Sequence, residues 1–103
     1  MAIAIRAVST GDTNGGPSTT CTANKPTGTV DGDVLIGFAG SRRGSNVTLA
    51  APAGWTAILG QVNATNAGAR AWYRVASSEP SNYTFTIGDI ATHGQVVVVC
   101  FSG

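Results

Sequence analysis

Three runs between residues 52 and 86 carry most of the architectural information in this chain: PAGWT (52–56), AWYRVA (71–76) and EPSNYTFT (79–86). The first run predicts a turn, because proline presets φ and glycine accepts a positive φ. The other two runs predict strands. In the last run, Tyr83 and Phe85 share one face and Asn82 and Thr84 the other, so we expect an aromatic core face and a polar outer face.

Both tryptophans lie in this region, and we expect both to pack in a core. Trp55 follows the Pro-x-Gly turn and is predicted to close one end of the domain. Trp72 and Tyr73 point to opposite faces of their strand, because side chains alternate along a strand. A large aromatic on each face predicts that this strand is covered on both sides.

Apolar periodicity along the rest of the chain is two rather than 3.6. Turn residues separate the segments, among them Gly11-Asp12 and Asn66-Ala67-Gly68. At most residues 77–81 form one helical turn. These observations predict an all-β, antiparallel, jelly-roll-like sandwich of about seven short strands. The predicted strands are 2–8, 18–23, 33–39, 56–62, 69–76, 82–87 and 94–101.

The composition suits one globular domain over residues 1–103. Charged residues make up 11% of the chain and the net charge is +1, which argues against nucleic acid as a partner. We interpret Arg42-Arg43 as a solvated loop tip rather than a site for phosphate or an acidic partner. A surface with so little charge suits permanent contacts with neighbouring subunits.

The first residues of the chain predict a protein made in a cytoplasm. No basic stretch followed by a long apolar run opens the chain, so we expect neither a signal peptide nor a membrane span. Cys21 and Cys100 are then expected to be free, buried thiols. A strand at 94–101 so close to the last residue predicts either a partner contact there or a longer protein.

The residues that could carry chemistry are few, and they form no recognisable set. His93 lacks the context of a nucleophile and an orienting acid, and one histidine with two distant cysteines cannot bind zinc. Asp31 and Asp33 lack the ligand series of a calcium loop. Glu79 and Asp89 are single turn residues rather than a paired acid and base. We therefore expect no enzyme activity, no catalytic residues, no metal and no cofactor.

Five short motifs follow one another in a definite order and spacing: GDVLI (32–36), PAGWT (52–56), WYRVA (72–76), EPSNYTF (79–85) and FSG (101–103). Together they resemble a β-sandwich domain of tailed bacteriophages. Such domains occur in minor tail, tail-fibre and head-decoration proteins. The resemblance covers roughly residues 30 to 103.

This resemblance implies a non-enzymatic structural protein of a virion, made in the cytoplasm of a bacterial host and bound to other capsid or tail proteins. We expect a homo-oligomer, as a trimer or a ring, with contacts through the strand at 2–8, the glycine-rich loops and the C-terminal strand. The alternative is a carbohydrate-binding module for host adhesion, with Trp55 and Trp72 as stacking platforms. Head or tail attachment stays open.

Overall fold

The computed structural model describes residues 2–13, 16–42 and 48–103. These residues confirm the all-β prediction: they form two antiparallel sheets, and none of them is helical. Accordingly, the described part contains no helix that could cross a membrane. The strands are β1 (Ala4–Asp12), β2 (Thr20–Asn24), β3 (Val34–Ser41), β4 (Thr56–Ala57), β5 (Val62–Ala64), β6 (Ala67–Val75), β7 (Asn82–Thr86) and β8 (Gly94–Ser102).

The large sheet has the order β1-β8-β3-β6-β4, with β5 also paired to β6, and the small sheet is the pair β2-β7. The pairs β1–β8, β2–β7 and β3–β6 are nested in sequence. Nesting of this kind arises when one long antiparallel hairpin folds over on itself, and it is jelly-roll connectivity. The β3–β8 pairing then joins the two halves of the large sheet.

The core lies between the two sheets and is built from the predicted alternation. In β7, Tyr83 and Phe85 are 2% and 0% exposed, whereas Asn82 and Thr84 face outward, as expected. Trp55 is half-buried and packs edge-on against the rings of Tyr83 and Phe85, with centroid distances of 5.2 and 5.4 Å. The PAGWT turn thus delivers Trp55 to the margin of the core.

The predicted strand at 56–62 is wrong: the structure has two short strands there, β4 and β5. Ala57 pairs with Trp72 and Val62 with Ala69, so four intervening residues oppose only two on β6. The extra length must loop out of the ladder, and the Gln61 side chain accepts a hydrogen bond from the backbone N–H of Leu49 at 2.7 Å. The turn predicted at 66–68 lies one residue earlier, because β6 already begins at Ala67.

The predicted chain reversal at Gly11-Asp12 is also wrong, because β1 continues through both residues and Asp12 pairs with Gln95. A Cβ atom on Gly11 would lie 1.9 Å from the carbonyl oxygen of Thr22. Glycine therefore stands here because β1 and β2 approach closely across the sandwich. Its role is steric relief within a strand rather than a turn.

Among the residues that the structure describes, protein covers only one face of the large sheet. In β6, Trp72 is 3% exposed on the inner face, whereas Tyr73 is 41% exposed on the outer face. The prediction that this strand is covered on both sides is therefore wrong for the single chain, because the small sheet packs only on the inner face. The last strand, β8, lies in the large sheet between β1 and β3. Its Val96 and Val98 are buried, while Val97 and Val99 remain half-buried.

Candidate interaction surface

Asp33, one of the acidic residues weighed as calcium ligands, is a structural carboxylate. It lies just before β3 and receives two hydrogen bonds from Arg6, Nε to Oδ2 at 2.8 Å and Nη2 to Oδ1 at 3.2 Å. Arg6 reaches it because the β1–β8 register shifts between Ile5 and Ala7, which makes Arg6 the extra residue of a β-bulge. The Val30 N–H and the Cys100 thiol also donate to Oδ2.

These partners stabilise the charged form of Asp33. The hydrogen bond from Arg6, followed by that from the Val30 N–H, lowers the pKa of Asp33 to about 2. The same hydrogen bond raises the pKa of Arg6. Asp31 does not join this group, since its Oδ1 accepts a hydrogen bond from the Ser78 N–H at 2.8 Å. In the described ranges, no three His, Cys, Asp or Glu residues form a group that could hold a metal ion.

Glu79 is not the single turn residue that the sequence suggested. Its Oε1 accepts a hydrogen bond from the Tyr83 hydroxyl at 2.7 Å, and its Oε2 receives Arg74 Nη2 and the Ser77 N–H, both at 2.9 Å. Burial, aided by the hydrogen bond to Glu79, raises the pKa of Tyr83, so the phenol stays a neutral donor. The EPSNY segment (79–83) is therefore held by a hydrogen bond between its first and last residues, Glu79 and Tyr83. Asp89, by contrast, is exposed.

The predicted thiols are confirmed as free and buried. Cys21 lies in β2 and Cys100 in β8, and both point into the core. Burial raises the pKa of both thiols, so they stay protonated and poorly nucleophilic at neutral pH. The Cys100 thiol also donates to Asp33 at 3.3 Å. Both cysteines therefore act as small core residues.

His93 and Arg42, which are far apart in sequence, come together at one end of the large sheet. The backbone N–H of Arg42 donates to the carbonyl of His93 at 2.9 Å, and both side chains are exposed. The His93 ring nitrogen Nδ1 lies 3.4 Å from Thr13 Oγ1. Arg42 and His93 border an open hollow of about 670 Å³. Arg43, the second residue of the predicted basic pair, lies outside the described residues.

The tryptophans proposed as sugar-stacking platforms pack in the interior. Trp72 is 3% exposed and lies 5.4 Å from Phe85 between ring centroids, and Trp55 is edge-on to two core rings. Trp72 therefore has no face open to a flat ligand, and Trp55 is half-buried at the margin of the core. The exposed aromatics are instead Phe38 and Tyr73.

Phe38 and Tyr73 belong to a continuous apolar surface on the uncovered side of the large sheet, which we call the outer face. Strand register arranges its central part in three rows that run across β1, β8, β3 and β6, with β4 at one end of the middle row. The rows are Ile5-Phe101-Val34-Val75, Val8-Val99-Ile36-Tyr73-Thr56 and Thr10-Val97-Phe38-Ala71.

No member of these rows carries a charge, and only Thr10 and Thr56 lack a mainly apolar side chain. Several members are widely exposed in the single chain: Ile5 by 63%, Val75 by 56% and Phe38 by 48%. An antiparallel sheet with one solvated face normally alternates apolar and polar residues. The outer face breaks that rule on β1, β8, β3 and β6.

The small sheet follows the ordinary rule within the same chain. Its core-facing residues are apolar, and all of its outward residues are threonine or asparagine: Thr20, Thr22, Asn24, Asn82, Thr84 and Thr86. The difference between the two sheets shows that the apolar outer face is not a general property of this composition. It is confined to one surface, and that surface is the candidate site.

A sequence signal for the outer face was present in the near-continuous apolar runs at 33–39 and 96–101. These runs predict strands with both faces buried, and one of those faces is open in the single chain. The contacts expected through strand 2–8 and the C-terminal strand fall partly on this surface, since β1 and β8 supply Val8 and Val99.

Comparisons with known proteins do not identify the chain. A scan against models of protein families, a search of curated proteins and a search of solved structures each find no match.

Proposed function

We propose that this chain is a non-enzymatic structural protein of a tailed-bacteriophage virion, a minor tail, tail-fibre or capsid-decoration component, that acts through protein–protein contacts. The observation that carries this proposal is the uncharged, apolar outer face of the large sheet. Apolar patches of this extent on a folded protein mark interaction surfaces. The phage assignment rests on the motif resemblance.

The placement of the resembling motifs supports a shared scaffold rather than a shared site. PAGWT brings Trp55 to the core margin, WYRVA supplies Trp72, and EPSNYTF supplies Tyr83 with its Glu79 acceptor. These residues hold the sandwich together. Related proteins that kept this core but bound different neighbours would still share the three motifs. That is expected of a scaffold that is used repeatedly in particles.

The use of the acidic residues supports the non-enzymatic part of the proposal. Asp33 and Glu79 are each engaged by an arginine and by backbone or side-chain donors. A general acid or base must be free to exchange a proton with a substrate. Carboxylates tied into such internal networks are better suited to stabilise the fold.

Particles purified from the cell that produces this chain test the assignment. We expect quantitative mass spectrometry to find the protein in the purified particles. The number of copies per particle should stay the same after a density gradient and after a high-salt wash. A cytosolic host protein, followed in the same fractions, is the negative control. Immunogold labelling would then show head or tail attachment. Recovery only in the soluble fraction, with particles free of the protein, would contradict the proposal.

The alternative, a carbohydrate-binding module, is favoured by one observation: the hollow of about 670 Å³ combines the Phe38 ring with the polar side chains of Arg42, Asn66 and His93. Aromatic and polar groups together are typical of sugar sites. A glycan array distinguishes the two functions. Our proposal predicts no binding, whereas binding that is lost in Phe38→Ala and kept in Thr84→Ala would favour the alternative.

A further inference from the structure

We propose that the outer face packs against the same face of a second copy of this chain, forming a two-fold symmetric dimer in which two large sheets are stacked. This inference rests on the proposed function, which makes the outer face a protein contact, and it names the partner. It replaces the expected trimer or ring by a pairwise contact.

The size of the outer face is sufficient for a specific interface. Strands lie about 4.8 Å apart and rise about 3.3 Å per residue, so the four strands of eight or nine residues (β1, β8, β3 and β6), together with the short β4 and β5, present roughly 600 Å² in projection. Protruding side chains make the accessible area larger than the projection. Two copies would thus bury at least about 1,200 Å² in total, where specific interfaces begin.

The charge distribution favours a second copy as the occupant. A two-fold interface brings one patch against itself, so any charge near the symmetry axis would face a like charge. The three central rows carry none, and Asp12 lies beyond them at the margin, paired with Gln95. The net charge of +1 also opposes association only weakly. A strongly charged partner would find no complementary group in these rows.

The surface shape of the outer face also suits stacked sheets. Phe38 and Tyr73 stand beside small residues, because Ala71 pairs with Phe38 and Gly40 follows two residues later in β3. Large next to small is the arrangement that lets facing sheets interdigitate at about 10 Å separation. Aromatic anchors of this kind dominate the energy of interfaces.

Assembly through a sheet edge is the competing geometry, and β1 is built against it. Its free edge contains the β-bulge at Arg6, and the Arg6 side chain is held by Asp33. Bulges and charged residues are the usual devices that prevent edge pairing. In the described residues β1 pairs only with β8, so its other edge is free, and the bulge and the charge protect that edge.

Sedimentation velocity and size exclusion with light scattering, from about 1 to 100 µM protein, test the inference. We expect a wild-type dimer and a monomeric Phe38→Lys, with dimer affinity weakened by at least roughly 30-fold, since central aromatic anchors are hot spots. Thr84→Lys is the matched control: it adds the same charge to an exposed strand position on the small sheet and should remain dimeric.

Circular dichroism confirms that each variant is folded, and Val8→Lys, at a 53% exposed position of the same face, replaces Phe38→Lys if that variant unfolds. Mixing Phe38→Lys with Phe38→Glu should restore a dimer. A monomeric wild type at 100 µM, or a dimer that persists in the folded lysine variants, would overturn the inference. The particle assay does not depend on either result. A protein that is found in virions but is monomeric in solution would contradict the dimer and leave the proposed function unchanged.

Discussion

Substitution of Gly11 by alanine tests how closely the two sheets approach each other. The new Cβ would lie 1.9 Å from the Thr22 carbonyl oxygen and 2.6 Å from its carbon. Ordinary contact begins at 3.4 Å, so about 1.5 Å of space is missing. Both atoms belong to the backbone of a paired strand, and a side-chain rotation cannot relieve the clash. Either β1 or β2 must shift.

A shift of this size has a substantial energetic cost. A radial gap of roughly 0.5–1 Å already removes a quarter to a half of the dispersion energy of a contact. Overpacked sites lose typically about 1–3 kcal/mol, and a backbone clash belongs at the upper end. We therefore expect Gly11→Ala to lower the free energy of unfolding by about 3 kcal/mol and the melting temperature by roughly 10–20 °C.

Urea unfolding, followed by tryptophan fluorescence and far-UV circular dichroism at one protein concentration, measures this loss as a midpoint shift of roughly 1–3 M. Gly60→Ala is the control, because a Cβ atom there meets nothing within 4 Å. We expect that variant to match the wild type within about 0.5 kcal/mol or to be slightly more stable. If Gly11→Ala also stays within 0.5 kcal/mol of the wild type, the close approach of β1 and β2 does not exist in solution.

Two further predictions concern the buried polar groups. Arg6 lowers the pKa of Asp33 to about 2, below the usual 3.8. The charged Asp33 therefore contributes to stability in full above about pH 5, and this contribution is lost as the pH falls toward 2. Urea midpoints measured against pH should show that decline in the wild type and in Asp89→Asn but much less in Asp33→Asn; equal slopes in all three would refute it. Cys21 and Cys100, as buried protonated thiols, should react with Ellman's reagent no faster than the protein unfolds, and immediate modification of either in the native protein would contradict their burial.

Much of the architecture could be predicted because short-range chemistry determines it. Alternation in the EPSNYTFT run identified the core face of β7, and the Pro-x-Gly turn indicated where Trp55 enters the core. The errors arose where a residue's role depends on a distant strand. Gly11 suggested a turn by its type alone, although the Thr22 carbonyl explains its presence, and the 56–62 run gave no sign that β6 pairs only with its ends.

The candidate site was harder to predict for a related reason. A sequence shows that the β3 and β8 runs are apolar on both faces, but it does not show which neighbours supply the covering layers. The aromatics that attracted notice, Trp55 and Trp72, are those the core uses. The exposed Phe38 lies in a run that looked like an ordinary buried strand.

The amino-acid sequence alone thus determined that this protein is an all-β sandwich with a mostly uncharged surface, since period-two alternation and turn residues act within a few positions along the chain. Only the tertiary structure decided that the small sheet covers one side of the large sheet and leaves the other side open. That outcome depends on strand order and register, which are set by contacts between residues as distant as Val8 and Val99. The outer face, and with it the proposed contact between copies, follows from that arrangement.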